Sequence, residues 1–263
     1  MGLPSQDLRY SIRMLVNRPG FTAVAVLTFG LGIGATAAIF SVVKSVLLRP
    51  LSYPEPGRVV ALWERRSADA QERSRVTPAN FLDWKQRSQV FHELAAFGSS
   101  ALNLTGSGEP EQLLGARVSS GYFAVLALRP IVGRLFLPEE YEPGRDSVVM
   151  LGQQIWARRF GSDPNIGGRS ITLDGQIYTV TGVMPAGIYP TWPTVSGRIS
   201  FDPANAQFWI PMRFEAGWAG NRRSHVLGVI GRMKPGVRLE QASAELNTIA
   251  GQLEQEHSEN KGV

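Results

Sequence analysis

The chain has 263 residues, a net charge of +5 and no cysteine. The missing cysteines exclude disulfide frameworks, Cys-based zinc sites and thiol nucleophiles together. Lysine and arginine are spread along the whole length, so the excess charge forms no nucleic-acid footprint and no nucleic-acid partner is expected.

The first elements concern a membrane. Asp7 to Val16 reads as a short amphipathic helix, with Leu8, Ile12 and Leu15 on one face and Arg9 and Arg13 on another. With Arg18 these form a basic interface beside lipid, expected to lie in the membrane plane. Asn17-Arg18-Pro19-Gly20 then reads as an elbow, because Pro and Gly break helices. Phe21 to Val43 follows without a single charge. That is about 23 residues, roughly 34 Å as a helix, against a bilayer core of about 30 Å. The run is longer than the apolar core of a cleaved signal, so a retained anchor is expected. The charges on its two sides nearly balance, and an N-terminus inside is the reading they give. Gly30 and Gly34 form a GxxxG pair, a candidate helix-packing face. The expected division is 1–20 interface helix and elbow, 21–48 transmembrane helix and 49–263 folded domain.

In the domain, Arg58 to Glu64 reads as a first strand. Thr77-Pro78 reads as an N-cap with Pro at the first helical position. The helix after it is expected to carry Phe81, Trp84, Phe91 and Leu94, with an irregularity near Arg87 to Gln89. Strands are expected at Phe97–Leu104, Gln112–Val118 and Ser147–Leu151, and short helices at Ser119–Leu126 and Gln153–Phe160. Asp174-Gly175, between Arg169–Leu173 and Gln176–Met184, is a hairpin signal. His225–Met233 reads as a strand, Pro235-Gly236 as a turn, and Leu239–Glu256 as a helix burying Leu239, Ala242, Leu246, Ile249 and Leu253. Helices and strands interleave without a regular βα rhythm, so the expected fold class is α+β.

Met184 to Pro211 is Pro-rich and reads as one long irregular loop. Tyr189, Trp192 and Phe201 within it, with Trp218 after it, are a candidate partner surface; packing on their own domain is the simpler alternative. Catalytic chemistry is not visible. There is no GxxxxGK[ST] phosphate loop and no GxSxG. His92, His225 and His257 lack ligand spacing, Glu139-Glu140 and Glu254/Glu256 read as solvated surface, and the Asn103 sequon carries no expectation. No catalytic residue, cofactor or metal is expected.

Several long blocks carry a resemblance. They are DLRYSIRMLVNRPGFTAVAVLTFGLGIGATAAIFSVVKSVLLRPLSYPEPGRVVALWE, VSSGYFAVLALRPIVGRLFLPEE, SVVMLGQQIWARRFGSDPNIGGRSITLDGQIYTVTGVMPAG and GRMKPGVRLEQASAELNTIAGQL. In order and spacing they resemble the start of MacB/FtsX-type ABC transporter permeases, whose periplasmic region is a MacB-like core domain. The resemblance implies one transmembrane helix followed by a mixed α/β periplasmic domain, in the bacterial inner membrane with a cytoplasmic N-terminus. It implies a separate ABC ATPase as partner, along with the remaining permease spans or a second permease copy. It also implies ATP-driven conformational change used for export or envelope regulation. The family's domain runs on past the polar end of this chain, so the sequence is expected to be incomplete relative to it. The competing expectation is an anchored binding or scaffold module without transport.

Overall fold

The computed structural model describes residues 18–46, 54–65, 73–106, 108–186 and 206–261. The chain divides into two compact units, Met1–Pro50 and Leu51–Val263. The expected Asp7–Val16 helix, with Arg9 and Arg13, lies outside the described residues.

The first unit holds one helix, α1 (Pro19–Val46). It starts at Pro19, so the expected elbow is corrected at Pro19 and Gly20, which are its first two residues. Proline is tolerated there because the first amides of a helix have no intrahelical acceptor. Among its described side chains the apolar ones are exposed, with Phe29 at 71% and Leu31 at 73% exposure. Three threonines return their hydroxyls to the helix's own backbone: Thr22 to Arg18 O, Thr28 to Val24 O and Thr36 to Gly32 O. An otherwise costly polar group in lipid is thereby satisfied internally. By length and composition Pro19–Ala37 can cross a membrane.

The second unit is built on strands β1 (Val59–Leu62), β2 (Glu64–Arg65), β3 (Arg73–Ser74), β4 (Phe91–Thr105), β5 (Glu111–Val118), β6 (Val132–Gly133), β7 (Val148–Gly152), β8 (Ser170–Leu173), β9 (Gln176–Met184), β10 (Phe208–Pro211) and β11 (Gly228–Met233). Its helices are α2 (Pro78–Arg87), α3 (Tyr122–Val125), α4 (Gln153–Phe160), α5 (Ala216–Ala219) and α6 (Leu239–Glu256). The mixed α and β content agrees with the expected class.

The main sheet runs β1-β11-β4-β5-β10-β7-β9-β6, with β8 pairing both β4 and β9. The pairings β4-β5-β10-β7-β9-β8 therefore close on themselves through β4 into a ring. Closure removes free edges from that part of the sheet. The ring encloses Leu104, Leu113, Leu151, Ile155, Leu173, Val180 and Phe208. The Asp174-Gly175 hairpin closes it. Both residues have positive φ, 47° and 76°, as a type I′ turn needs. Asp174 Oδ1 accepts from Asn103 N at 2.8 Å and Asn103 Nδ2 at 2.7 Å, which ties the turn to β4. The sequon asparagine thus has a structural role.

Beyond the ring, β11 and β1 extend the sheet, with α2 and α6 packed on one face around Phe81, Trp84, Phe91, Leu94 and Leu253. The other face of β4 and β11 packs Tyr122, Phe123 and Trp209. Gly115 and Gly228 allow close approach: a Cβ on the first would overlap the Phe208 carbonyl and ring, and one on the second the Phe97 ring.

Four expectations are corrected. First, α2 ends at Arg87, and Phe91 and Leu94 belong to β4. The carboxylate of Glu245 on α6 accepts from Ser88 Oγ, from Gln89 N at 2.8 Å and from Val90 N, which turns the chain out of the helix. Second, the stretch 184–211 is not all loop. Phe208–Pro211 is a fully buried strand, parallel to β5 and antiparallel to β7. Third, Leu239 is 59% exposed, whereas Ala242, Ile249 and Leu253 are buried as expected. Fourth, Glu140 is buried rather than solvated. It receives Arg134 Nη2 at 2.6 Å and Nη1 at 2.8 Å, and the Leu137 amide at 2.7 Å.

Candidate functional site

One part of the domain that combines open space with polar groups is the trough between β1 and α6. Alternation along β1 points Val60, Leu62 and then Glu64 at the helices. The period of α6 turns Ala242 and Leu253 to the same place, with Leu246 half-buried beside them. The trough has a volume of about 460 Å³, and its wall also carries Trp84 and Asn260. Among the described residues β1 pairs with β11, and Val60 to Leu62 of β1 line this space.

One end of the trough is closed by a polar network. Thr77 caps α2, accepting from Asn80 N. Glu64 Oε1 accepts from Thr77 N at 3.2 Å and from Asn80 Nδ2 at 2.7 Å. Asn80 Oδ1 accepts from Arg222 Nη1 at 2.6 Å and Asn260 Nδ2 at 3.1 Å. Arg222 also reaches Asp83 at 2.7 Å. Arg87 pairs with Glu256 through two hydrogen bonds of 2.9 and 2.6 Å. The hydrogen bond from Arg87 holds the Glu256 carboxyl below the usual carboxylate range. These bonds fix the end of α6 and the 3₁₀ turn Ser258–Asn260 against α2.

Within this set, His225 was expected as a surface residue. The structure instead places its Nδ1 2.6 Å from Glu64 Oε2 and 3.1 Å from Arg75 O. The hydrogen bond of Nδ1 is the one to Arg75 O, while Glu64 Oε2 lies in close ion-pair contact without accepting a hydrogen bond. His225 and Glu64 are about 160 positions apart, so no local spacing signals the pair. The arrangement is a structural lock. Among the described residues no group of three or more His, Asp or Glu could hold a metal. Trp84 Nε1 and Asn260 Oδ1, both buried, lack a hydrogen-bond partner.

The remaining sequence candidates are dispersed. A Cβ added at Gly30 or Gly34 would meet nothing within 4 Å, so that face of α1 is open. Arg18 is exposed just ahead of α1. Tyr189, Trp192 and Phe201 lie outside the described residues. Trp218 is half-buried and stacks on Phe214, with ring centroids 5.1 Å apart, against the α2–α6 core.

A family model, the MacB-like periplasmic core domain, matches residues 22–249. Solved structures agree at the level of fold. The periplasmic region of MacB from Actinobacillus actinomycetemcomitans is similar with a TM-score of 0.51 at 14% identity, over 74% of this chain and 84% of that one. The extracellular domain of the noncanonic ABC-type transporter YknZ from Gram-positive bacteria is similar with a TM-score of 0.51 at 14% identity, over 76% of this chain and 95% of that one. No curated protein sequence matches the chain. The match extends from inside α1 to the middle of α6, and on that basis the chain belongs to the family of MacB-like periplasmic core domains.

Proposed function

We propose that the chain is a permease component of a MacB/FtsX-type ABC transporter, anchored in the bacterial inner membrane by α1 with its folded domain outside the cytoplasm. The observation that supports this most is the extent of the family match, residues 22–249, which takes in both the apolar helix and the folded domain. The domain carries no catalytic constellation among its described residues, and its buried ionisable groups are tied up in structural pairs. Its role is mechanical, relaying conformational change driven by a separate ABC ATPase for export or envelope regulation. A closed ring of strands suits that role, because close-packed interiors transmit strain rather than absorb it. On this reading Arg9, Arg13 and Arg18 meet lipid and the ATPase side. Gly30 and Gly34 pack against further permease helices or a second copy, and Tyr189, Trp192, Phe201 and Trp218 face a partner.

The test is co-purification. The chain, tagged at its natural locus and solubilised from membranes, is expected to bring down a P-loop ATPase. Recovery from those membranes without any ATPase would favour an anchored scaffold instead.

A further inference from the structure

The entry of the chain into the domain is held in a strained conformation. The chain leaves α1 at Val46, and the described part of the second unit begins at Pro54. Glu55 has φ 50° and ψ 59°, in the left-handed region. A side chain is disfavoured there because its Cβ crowds the following carbonyl oxygen. Four described residues other than glycine have positive φ, and of these Glu55 alone precedes a proline. The proline ring crowds the N–H and Cβ of the residue before it and favours extended backbone there. Two local preferences therefore act against the conformation observed at Glu55.

Two arginines oppose them. Arg58 N donates to Glu55 O at 3.0 Å, which closes the 3₁₀ turn Pro56–Arg58. The Arg58 guanidinium donates from Nη1 to Glu55 Oε2 at 2.6 Å and from Nε to Met233 O at 2.9 Å. Arg232, on β11 and 6% exposed, donates from Nη2 to Pro54 O at 3.1 Å and from Nε to Val125 O at 2.7 Å. Its Nη1 lies 3.9 Å from Glu55 Oε2. The register of β11 on β4 shifts between Arg232 and Met233, and such bulges re-aim the groups beside them. β11 thus presents a buried cation and a carbonyl to one short turn. A strained residue persists where its surroundings over-determine it, and such residues cluster at clamps and switch regions. A buried guanidinium that lost Pro54 O would keep an unmatched donor. Opening is therefore driven by Glu55 and resisted by Arg232.

We infer that Pro54–Arg58 is a releasable clasp on the tether between α1 and the domain. Closed, the turn holds Glu55 and Arg58 within about 7 Å, as tight turns do. Open, Glu55 takes the extended backbone that its proline favours, and the three steps to Arg58 span about 10 Å. Tension on the tether is met by one short lengthening step, with β11 left in the sheet. The inference rests on the geometry of the turn and holds whether or not the chain serves in transport.

The experiment uses the full chain in lipid nanodiscs. It reads amide hydrogen exchange at residues 58 and 59, whose amides donate to Glu55 O and Pro56 O. A nitroxide on Ser52→Cys reports the mobility of the tether. Arg58→Met is the first variant, because the Arg58 side chain is partly exposed and its loss spares the buried core. It should speed exchange at both amides by at least about tenfold and raise the nitroxide's mobility, with exchange at Ala95 and Ala96 of β4 unchanged. Glu55→Gly added to Arg58→Met should slow that exchange again by about threefold or more, because glycine adopts positive φ freely. The sign separates strain from simple loosening, since glycine in an unstrained turn would only speed exchange. Equal exchange in the chain and its Arg58→Met variant would overturn the inference. So would a further rise on adding Glu55→Gly, a parallel rise at Ala95 and Ala96, or faster exchange with no change in the nitroxide's mobility.

Discussion

Glu64 and His225 hold each other across the domain, with Oε2 and Nδ1 2.6 Å apart and the glutamate side chain 2% exposed. The same carboxylate receives the Thr77 amide and Asn80 Nδ2, so one side chain joins β2, the start of α2 and the segment before β11. Glu64→Leu keeps the volume and leaves several donors without an acceptor. It should cost about 3–5 kcal/mol, the usual penalty for removing one partner of a buried pair. Urea unfolding followed by tryptophan fluorescence measures it. The Glu64→Leu/His225→Leu double variant should be markedly less unstable than the sum of the single changes, because the two residues are directly coupled. Additive effects would mean that the pair does not interact.

Glu140 gives a pH dependence with a definite sign. Burial raises its pKa, but the hydrogen bonds from Arg134 and the Leu137 amide outweigh burial and hold it below the ordinary carboxylate value. A carboxyl whose pKa is depressed by folding stabilises the fold above its unfolded value of about 4.3. That contribution is lost as the pH falls from there through the folded value. Glu140→Gln should therefore lower the Tm at pH 7 and flatten its decline below about pH 4.5. Arg134 is half exposed, so the loss at pH 7 should be about 1–2 kcal/mol and no more. Parallel Tm-against-pH curves for the two proteins would contradict this.

Two leucines of α6 separate helical period from actual burial. Leu253 is 1% exposed and Leu239 is 59% exposed. Leu253→Ala should cost about 2–5 kcal/mol, and Leu239→Ala should stay within about 0.5 kcal/mol. Denaturant midpoints of the two variants decide it. A large loss at Leu239 would mean that this side chain is covered in solution.

The same helix shows how far the sequence can be read. Its limits, Leu239–Glu256, follow from the apolar period alone, as do the Thr77-Pro78 cap and the Asp174-Gly175 hairpin, because local chemistry decides each of them. What escaped the sequence is non-local. Phe91 and Leu94 fit a helical period, yet Glu245, far along the chain, captures the Ser88 hydroxyl and the Gln89 and Val90 amides and ends the helix first. Phe208–Pro211 is too short and too close to proline to announce a strand, and its place between β5 and β7 defines it. In the candidate site, Trp84 and Leu253 were legible as buried, whereas the Glu64–His225 lock and the orphaned Asn260 oxygen depend on partners no spacing reveals.

Gly30 and Gly34 allow a test inside the membrane unit. Helix association in lipid depends on close backbone approach, and bulky side chains at a GxxxG pair prevent it. Gly30→Leu with Gly34→Leu should weaken association of α1 with other membrane helices by about tenfold or more, a loss of about 1.4 kcal/mol or greater. The measurement is energy transfer between labelled copies or co-expressed permease spans in vesicles. Unchanged transfer would remove the packing role from this face.

The central claim is an anchored domain on the outer side of the membrane, and topology tests it most directly. The chain has no cysteine, so single cysteines can be placed at Ser5 and at the exposed Ser170. Intact cells are treated with a membrane-impermeant thiol reagent, and the carbonate-washed membranes are assayed for the protein. The account predicts labelling of Ser170→Cys but not Ser5→Cys, with the full-length chain retained in the membrane. Labelling of neither position until the cells are lysed would place the domain in the cytoplasm and contradict the account.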